Sequence, residues 1–226
     1  MALGGETYGE AYFATTYRDY LRQNPSRKLE FYRSVVEQHM PAKPKIKVLD
    51  VGCGMGGFLG CMRASDPARR RLTLTGVDVS EYAIAACRTQ SPEETFKVLS
   101  SGQVGDLDDK FEVVTAFDVL EHLASPDSTA VAISHCLTDD GTLTLVVPVY
   151  DGPLGSLVRL LDKDSSHIQV RSRDWWLESI STHFTVTGWQ GIFRTLTPWQ
   201  HYVHVPTRAL RRAAPAILIT ARKIRR

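Results

Sequence analysis

Residues 48–59 read Val-Leu-Asp-Val-Gly-Cys-Gly-Met-Gly-Gly-Phe-Leu. An apolar run ends in a loop carrying Gly52, Gly54, Gly56 and Gly57, and a second apolar run follows. The chain must reverse tightly there, with its backbone free to pass close to a ligand, and a Cβ would obstruct both. The expected unit is strand, ligand loop, helix. Gly52, Gly54 and Gly57 satisfy the spacing G-x-G-x-x-G, while Asp50 with Gly52, Gly54 and Gly56 satisfies Asp-x-Gly-x-Gly-x-Gly. The glycines alone do not choose between these two patterns.

The rest of the chain repeats the unit. Strands are predicted at 46–51, 72–78, 95–99, 111–117 and 142–149, with helices near 57–65, 80–88 and 126–137 between them. Ser80 is the expected cap of the second helix, and Pro126 opens the third, which Asp139-Asp140-Gly141 is expected to stop. Strand and helix in alternation imply a parallel sheet with right-handed crossovers. Past 149 the pattern changes. Residues 150–170 read as an insertion with a short apolar helix at Leu154, Leu157, Val158, Leu160 and Leu161. A helix near 173–181 and strands at 183–189 and 216–222 close the domain. The first 45 residues form a separate cap, rich in Tyr8, Tyr12, Phe13, Tyr17, Tyr20, Phe31 and Tyr32. Pro25 divides it into two helices, and Pro41 and Pro44 end it. The expected organisation is a helical cap over 1–45 and one globular unit over 46–226, with the insertion at 150–170.

Three acidic positions decide between the loop patterns. Asp50 ends a buried strand beside the loop, where a carboxylate is costly unless it meets a cation or donors. A pyrophosphate would repel it, whereas a ligand carrying an ammonium suits it. Asp78 ends the next strand, where a carboxylate can accept a ribose diol; the ligands of both loop patterns need this, so Asp78 supports adenosine binding without choosing between them. Residues 117–123, Phe-Asp-Val-Leu-Glu-His-Leu, follow the fourth strand directly. In order and spacing, the stretch from about 46 to 149 resembles the class I S-adenosylmethionine-dependent methyltransferases. The resemblance implies a Rossmann-like, doubly wound, seven-stranded α/β sheet with S-adenosyl-L-methionine as cofactor. By that resemblance Asp50, Gly52 and Gly54 line the methionine end, with Cys53 part of the same loop although its side chain, like that of Met55, reads as filler. Asp78 holds the ribose, Val79 lies against adenine, and Phe117 and Asp118 contribute backbone near the sulfonium. Asp118 and Glu121 also suit caps for the helix that follows. Many members of the family have an acid after the third strand; here Ser100 and Ser101 stand in its place.

Methyl transfer is an in-line displacement, so alignment of the acceptor accounts for much of the acceleration. A hydroxyl acceptor also needs a general base, worth roughly 10²–10⁴-fold. Of seven histidines, His39, His135 and His183 read as structural. His122 adjoins the fourth-strand motif, and His167 follows the fifth strand in the segment expected over the acceptor pocket. These two are the catalytic candidates, as base or acceptor-binding groups. His201 and His204 fit the same wall, or a loop. Tyr12, Tyr17, Trp175, Trp176 and Trp199 are candidates to face the ligands, and Arg171, Arg173 and Arg194 would suit an anionic acceptor.

Composition narrows the partners. A net charge of +2, with no basic stripe except toward Arg208–Arg226, gives no argument for nucleic acid. The Asn/Asp-Pro-Pro-Tyr/Phe segment of exocyclic-amine methylases and a Pro-Cys nucleophile are both missing. Four cysteines form no Cys-x-x-Cys pair and no Cys/His cluster with zinc spacing, so no metal is expected. No signal peptide and no spanning apolar run of ~20 residues is evident. The expectation is a cytoplasmic small-molecule methyltransferase, O- preferred over N-, acting on a compact acceptor such as a sugar or a natural-product intermediate. The alternatives are a nicotinamide oxidoreductase, disfavoured by Asp50, and a catalytically silent S-adenosylmethionine-binding protein on the same fold.

Overall fold

The structure, a computed structural model, describes residues 24–68, 70–153, 155–161, 166–196 and 202–224. Helix α1 (Ser26–His39) leads into β1 (Ile46–Val51), α2 (Gly57–Ser65), β2 (Leu72–Asp78), α3 (Glu81–Gln90), β3 (Thr95–Val98) and β4 (Phe111–Phe117). Then follow α4 (Pro126–Cys136), β5 (Leu137–Pro148), α5 (Gly155–Leu161), α6 (Arg173–His183), β6 (Phe184–Leu196), β7 (Tyr202–Thr207) and β8 (Ala216–Lys223). Short 3₁₀ turns cover Ser101–Asp106 and Leu120–His122. The first of the two predicted cap helices lies outside the described residues.

The strands form one sheet in the order β3-β2-β1-β4-β5-β8-β6-β7. Strands β1 to β5 are parallel, β8 enters antiparallel between β5 and β6, and β7 pairs antiparallel with β6. Alternate residues of each strand face opposite cores. Leu49 and Val51 of β1 pack with Ile133 of α4 and Trp176 and Ile180 of α6. Ile46 and Val48 pack on the other side with Tyr32 and Val36 of α1, Phe58 and Met62 of α2, and Ile84 of α3. Helix α1 joins this second core because Lys28, Tyr32, Val35 and Val36 recur at helical spacing and are all buried.

The doubly wound sheet is as expected, but it has eight strands where seven were predicted. The added strand, β7, occupies the segment read as a loop wall around His201 and His204. Its Pro206 is tolerated because β7 lies at the sheet edge, where a missing N–H costs no ladder bond. Two boundaries also move. Helix α4 ends at Cys136, and β5 begins at once, so Asp139-Asp140-Gly141 lies inside the strand. The register with β4 shifts between Phe111 and Val113, which accommodates those residues. Strand β6 runs to Leu196, well past 189. Helices after β1 and β2 cover one face, while α4, after β4, covers the other. This opens a crevice at the carboxyl ends of β1 and β4, where ligands bind in open α/β sheets.

Candidate functional site

The crevice holds a cavity of about 340 Å³. All eight residues singled out for the cofactor line it: Asp50, Gly52, Cys53, Gly54, Asp78, Val79, Phe117 and Asp118. So do Ser100, Ser101 and His122.

The glycine loop takes the conformation its composition requires. Gly52, Gly54 and Gly56 have φ of 70°, 51° and 76°, the left-handed region that a side chain makes costly. A Cβ on Gly52 would lie 2.4 Å from the Val119 side chain, so this glycine lets the β1 loop approach the β4 loop. The loop then folds onto Asp78, whose carboxylate accepts from Gly54 N–H at 2.9 Å and Ser80 N–H at 2.9 Å.

Asp50 is buried. Its Oδ1 accepts the Thr115 hydroxyl at 2.6 Å from the neighbouring strand β4. Burial pushes its carboxyl up to about 7; the Thr115 bond opposes the shift and the charge of Asp78 adds to it. Burial also raises Asp78, against the pull of the loop N–H groups. Among the described residues no basic side chain hydrogen-bonds Asp50. Asp50 therefore faces the cavity with an unmet demand for positive charge, and Asp78 with lone pairs left for further donors beside its backbone N–H bonds. An ammonium near Asp50 and a hydroxyl pair near Asp78 answer that demand, which is the donor set of an aminoacyl nucleoside such as S-adenosylmethionine.

Asp118 behaves differently from its neighbours. Among the described residues it is the one non-glycine with positive φ, 58°, a strained conformation of the kind that clusters at functional sites. Its side chain is not a helix cap. It pairs with Arg194 of β6 and lies 3.5 Å from Lys28 of α1. Burial alone would raise its carboxyl, but Arg194 and Lys28 outweigh that and hold it at about 2. Above it, Tyr32 stacks on Phe117 at 4.4 Å, and Phe58 meets Phe117 edge-on at 4.9 Å.

The two histidine candidates come together. Their ring centroids are 4.8 Å apart, and both stand beside Glu121, which is fully buried. His167 Nε2 lies 4.0 Å from Glu121 Oε1. Glu121 is likewise not a cap; its backbone carbonyl accepts N–H bonds from Ile168 at 3.0 Å and Gln169 at 2.9 Å.

Other expectations separate. Arg173 is buried, pairs with Asp151 at 3.0 Å and donates to the Ala214 carbonyl. Arg194 is held by Asp118, and Arg171 by Gln169 and the Trp175 ring. Trp176 is core, packed edge-on against Trp175. His204 is buried and its imidazole falls to about 4, chiefly by burial, with nearby Lys28 and Arg194 adding to the shift. His39 caps its own helix through Val35 O, while His135 is exposed. Tyr12, Tyr17, Trp199 and His201 lie outside the described residues. The four cysteines are free thiols.

A family model described as a methyltransferase domain matches residues 17–192. The chain belongs to this family. Its fold is the class I methyltransferase fold that the motifs imply. Among curated proteins it is similar to a ubiquinone biosynthesis O-methyltransferase of Agrobacterium fabrum, 33% identical over 116 residues, which cover 46% of this chain and 44% of that protein. A mitochondrial ubiquinone biosynthesis O-methyltransferase of Arabidopsis thaliana is 30% identical over 138 residues, covering 55% and 41%. The chain thus spans less than half the length of either relative. Among solved structures, magnesium protoporphyrin IX methyltransferase from Synechocystis with bound S-adenosylhomocysteine superposes with a TM-score of 0.64 at 16% identity, covering 95% and 97%. A [4+2]-cyclase superposes at 0.67 with 17% identity, covering 98% and 97%, so likeness at this level shows the fold alone. No helix among the described residues is long and apolar enough to cross a membrane.

Thr115, Tyr32 and Lys28 were not singled out by the sequence. Thr115 has a legible trace, a polar residue in an apolar strand. Tyr32 was visible only as one of the cap's aromatic residues and Lys28 not at all, because both enter the site only through the packing of α1.

Proposed function

We propose that the chain binds S-adenosylmethionine in the cavity at the ends of β1, β2 and β4 and directs its methyl group to a hydroxyl of a small-molecule acceptor. One observation carries the reading. In a chain of the methyltransferase family, two carboxylates, the buried Asp50 and the half-buried Asp78, end adjacent strands of one cavity that all eight candidate cofactor residues line. Asp50 meets the ammonium of the methionine end, while Gly52, Cys53 and Gly54 pass their backbone beneath it. Asp78 accepts from the ribose hydroxyls, and Val79 lies against adenine, with Ser100 and Ser101 beside its amine. Phe117 and Asp118 present backbone toward the sulfonium. When bound, the cofactor supplies a methyl group on a positively charged sulfur that departs as a neutral thioether.

The acceptor end belongs to His122, His167 and the buried Glu121 beside them. His167 and His122 act on the acceptor hydroxyl, which must lose its proton. The O-methyltransferase names of the relatives support an oxygen acceptor. Arg194 and Lys28 bring two positive charges to the single charge of Asp118, which favours an acceptor carrying one negative charge. Four free thiols suit a reducing compartment, the cytoplasm.

Calorimetric titration with S-adenosylmethionine, S-adenosylhomocysteine and NAD(H) tests the reading. The first two bind, and Asp78→Ala weakens both at least tenfold. Binding of NAD(H) alone would send the site back to the dehydrogenases.

A further inference from the structure

We propose that Glu121, His122 and His167 form a binding site for a divalent transition-metal cation at the acceptor end of the cavity. One carboxylate oxygen and two imidazole nitrogens, each a donor such a cation takes, lie within 4.8 Å of one another. Bonds of about 2.1 Å would bring cis donors to roughly 3 Å, so closure needs a shift of about 1–2 Å at the widest pair, within reach of side-chain rotation.

The orientation of the rings is the stronger argument. A ligating histidine almost always gives its second ring nitrogen to a carbonyl, carboxylate or other polar partner, which sets the tautomer. His122 Nδ1 lies 3.1 Å from the Ser166 carbonyl and 3.0 Å from the Ser166 hydroxyl. A carbonyl only accepts, so Nδ1 carries the proton and Nε2 is the lone-pair nitrogen, the tautomer that ligates. His167 Nδ1 lies 3.1 Å from the Tyr150 hydroxyl, and its Nε2 is turned to Glu121. Both rings therefore have the outer partner that metal ligation calls for.

Nor is His167 needed to anchor its loop. Ile168 N–H and Gln169 N–H already bind the Glu121 carbonyl, and Gln169 Nε2 donates to Leu123 O at 2.9 Å. Those bonds hold residue 167 opposite residue 121, and the imidazole adds a metal donor to a segment that is already pinned. Asp118 is committed to Arg194 and Lys28 and is not a fourth ligand. Two nitrogens with one oxygen favour Mn²⁺, Fe²⁺, Co²⁺ or Zn²⁺ over Mg²⁺ or Ca²⁺, which prefer all-oxygen sets. Three protein ligands leave positions open, and His122 lines the cavity.

The proposed use of the cation rests on the methyl-transfer reading. An acceptor hydroxyl bound to it releases its proton to solvent. The resulting oxygen lone pair forms the new O–C bond while the C–S pair stays on sulfur. His122 and His167 then act as ligands that bind the acceptor through the cation. The sequence gives no zinc spacing because two of the donors are adjacent and the third lies 45 positions later, brought in by the tertiary fold.

The test is titration of the chelator-stripped, tag-free 226-residue chain with Co²⁺, followed by its visible absorption, and with Zn²⁺ by calorimetry. One equivalent binds. Glu121→Gln and His167→Ala each weaken binding at least a hundredfold, Tyr150→Phe weakens it about tenfold by removing an outer partner, and His135→Ala leaves it unchanged. Absence of stoichiometric Co²⁺ and Zn²⁺ binding to the wild type overturns the site, as does wild-type affinity in both Glu121→Gln and His167→Ala. S-adenosylhomocysteine binding by the same samples separates the two claims. Cofactor binding without metal binding sinks only the metal site; metal binding without cofactor binding sinks only the methyl-transfer reading.

Discussion

Asp50→Asn should stabilise the ligand-free protein while removing its grip on the cofactor. The Asp50 carboxyl is raised from 3.8 to about 7, first by burial. That shift of about 3 units corresponds to about 4 kcal/mol at 1.36 kcal/mol per unit. The sign follows from proton counting. Between the unfolded value near 4 and the folded value near 7, the native state holds a proton that the unfolded state has lost, so stability falls as pH rises. Above 7 the full cost is present. Asparagine keeps an oxygen to accept the Thr115 hydroxyl and carries no charge to bury. Urea unfolding without ligand, at pH 5 and pH 8, reads the effect. The advantage of Asp50→Asn over wild type should be about 3 kcal/mol larger at pH 8 than at pH 5. In the same samples S-adenosylmethionine affinity should fall at least tenfold. Wild-type affinity should rise with pH up to about 7, because the ammonium needs the ionised carboxylate. An equal advantage at both pH values would refute the argument, since the carboxyl would then not be perturbed by burial.

Gly52→Ala should cost about 1–2 kcal/mol from the left-handed backbone alone, and more from the 2.4 Å approach to Val119. Denaturant melts and cofactor titration should both register it. Arg194→Ala should cost about 3 kcal/mol at pH 7, because it leaves the half-buried Asp118 charge with Lys28 alone. Arg194→Ala with Asp118→Asn should recover most of the loss in a double-mutant cycle. The wild-type contribution of Asp118 is present above pH 4 and disappears as pH falls through about 2.

The convergence of the candidate cofactor residues on one cavity was legible because its signals are local. Asp50 and the glycines adjoin in sequence, Asp78 ends a strand of plain pattern, and Phe117-Asp118 follows another. Strand ends in a parallel sheet converge without further information. The acceptor half was legible only as residue types. His122 and His167 stood out as histidines in the right connections, but their convergence on Glu121 depends on the backbone bonds from Ile168 and Gln169. Arg194 and Arg173 looked alike in sequence. Burial separates them, one against Asp118 in the site and the other against Asp151 and the Ala214 carbonyl in the fold. Strand β7, read only as a wall or a loop around His201 and His204, is a strand through its pairing with β6 at the sheet edge.

Alternating apolar runs, a glycine loop and acids at strand ends thus determined the doubly wound sheet, its ligand crevice and the positions of Asp50 and Asp78. These follow from short-range pattern and the few ways such units pack. Which charges find partners and which histidines meet was decided by contacts between residues 44 to 90 positions apart, such as His122 with Ser166, and Asp118 with both Arg194 and Lys28. Local sequence carries no record of such distances, because burial and pairing arise only when the sheet closes and both of its faces are covered.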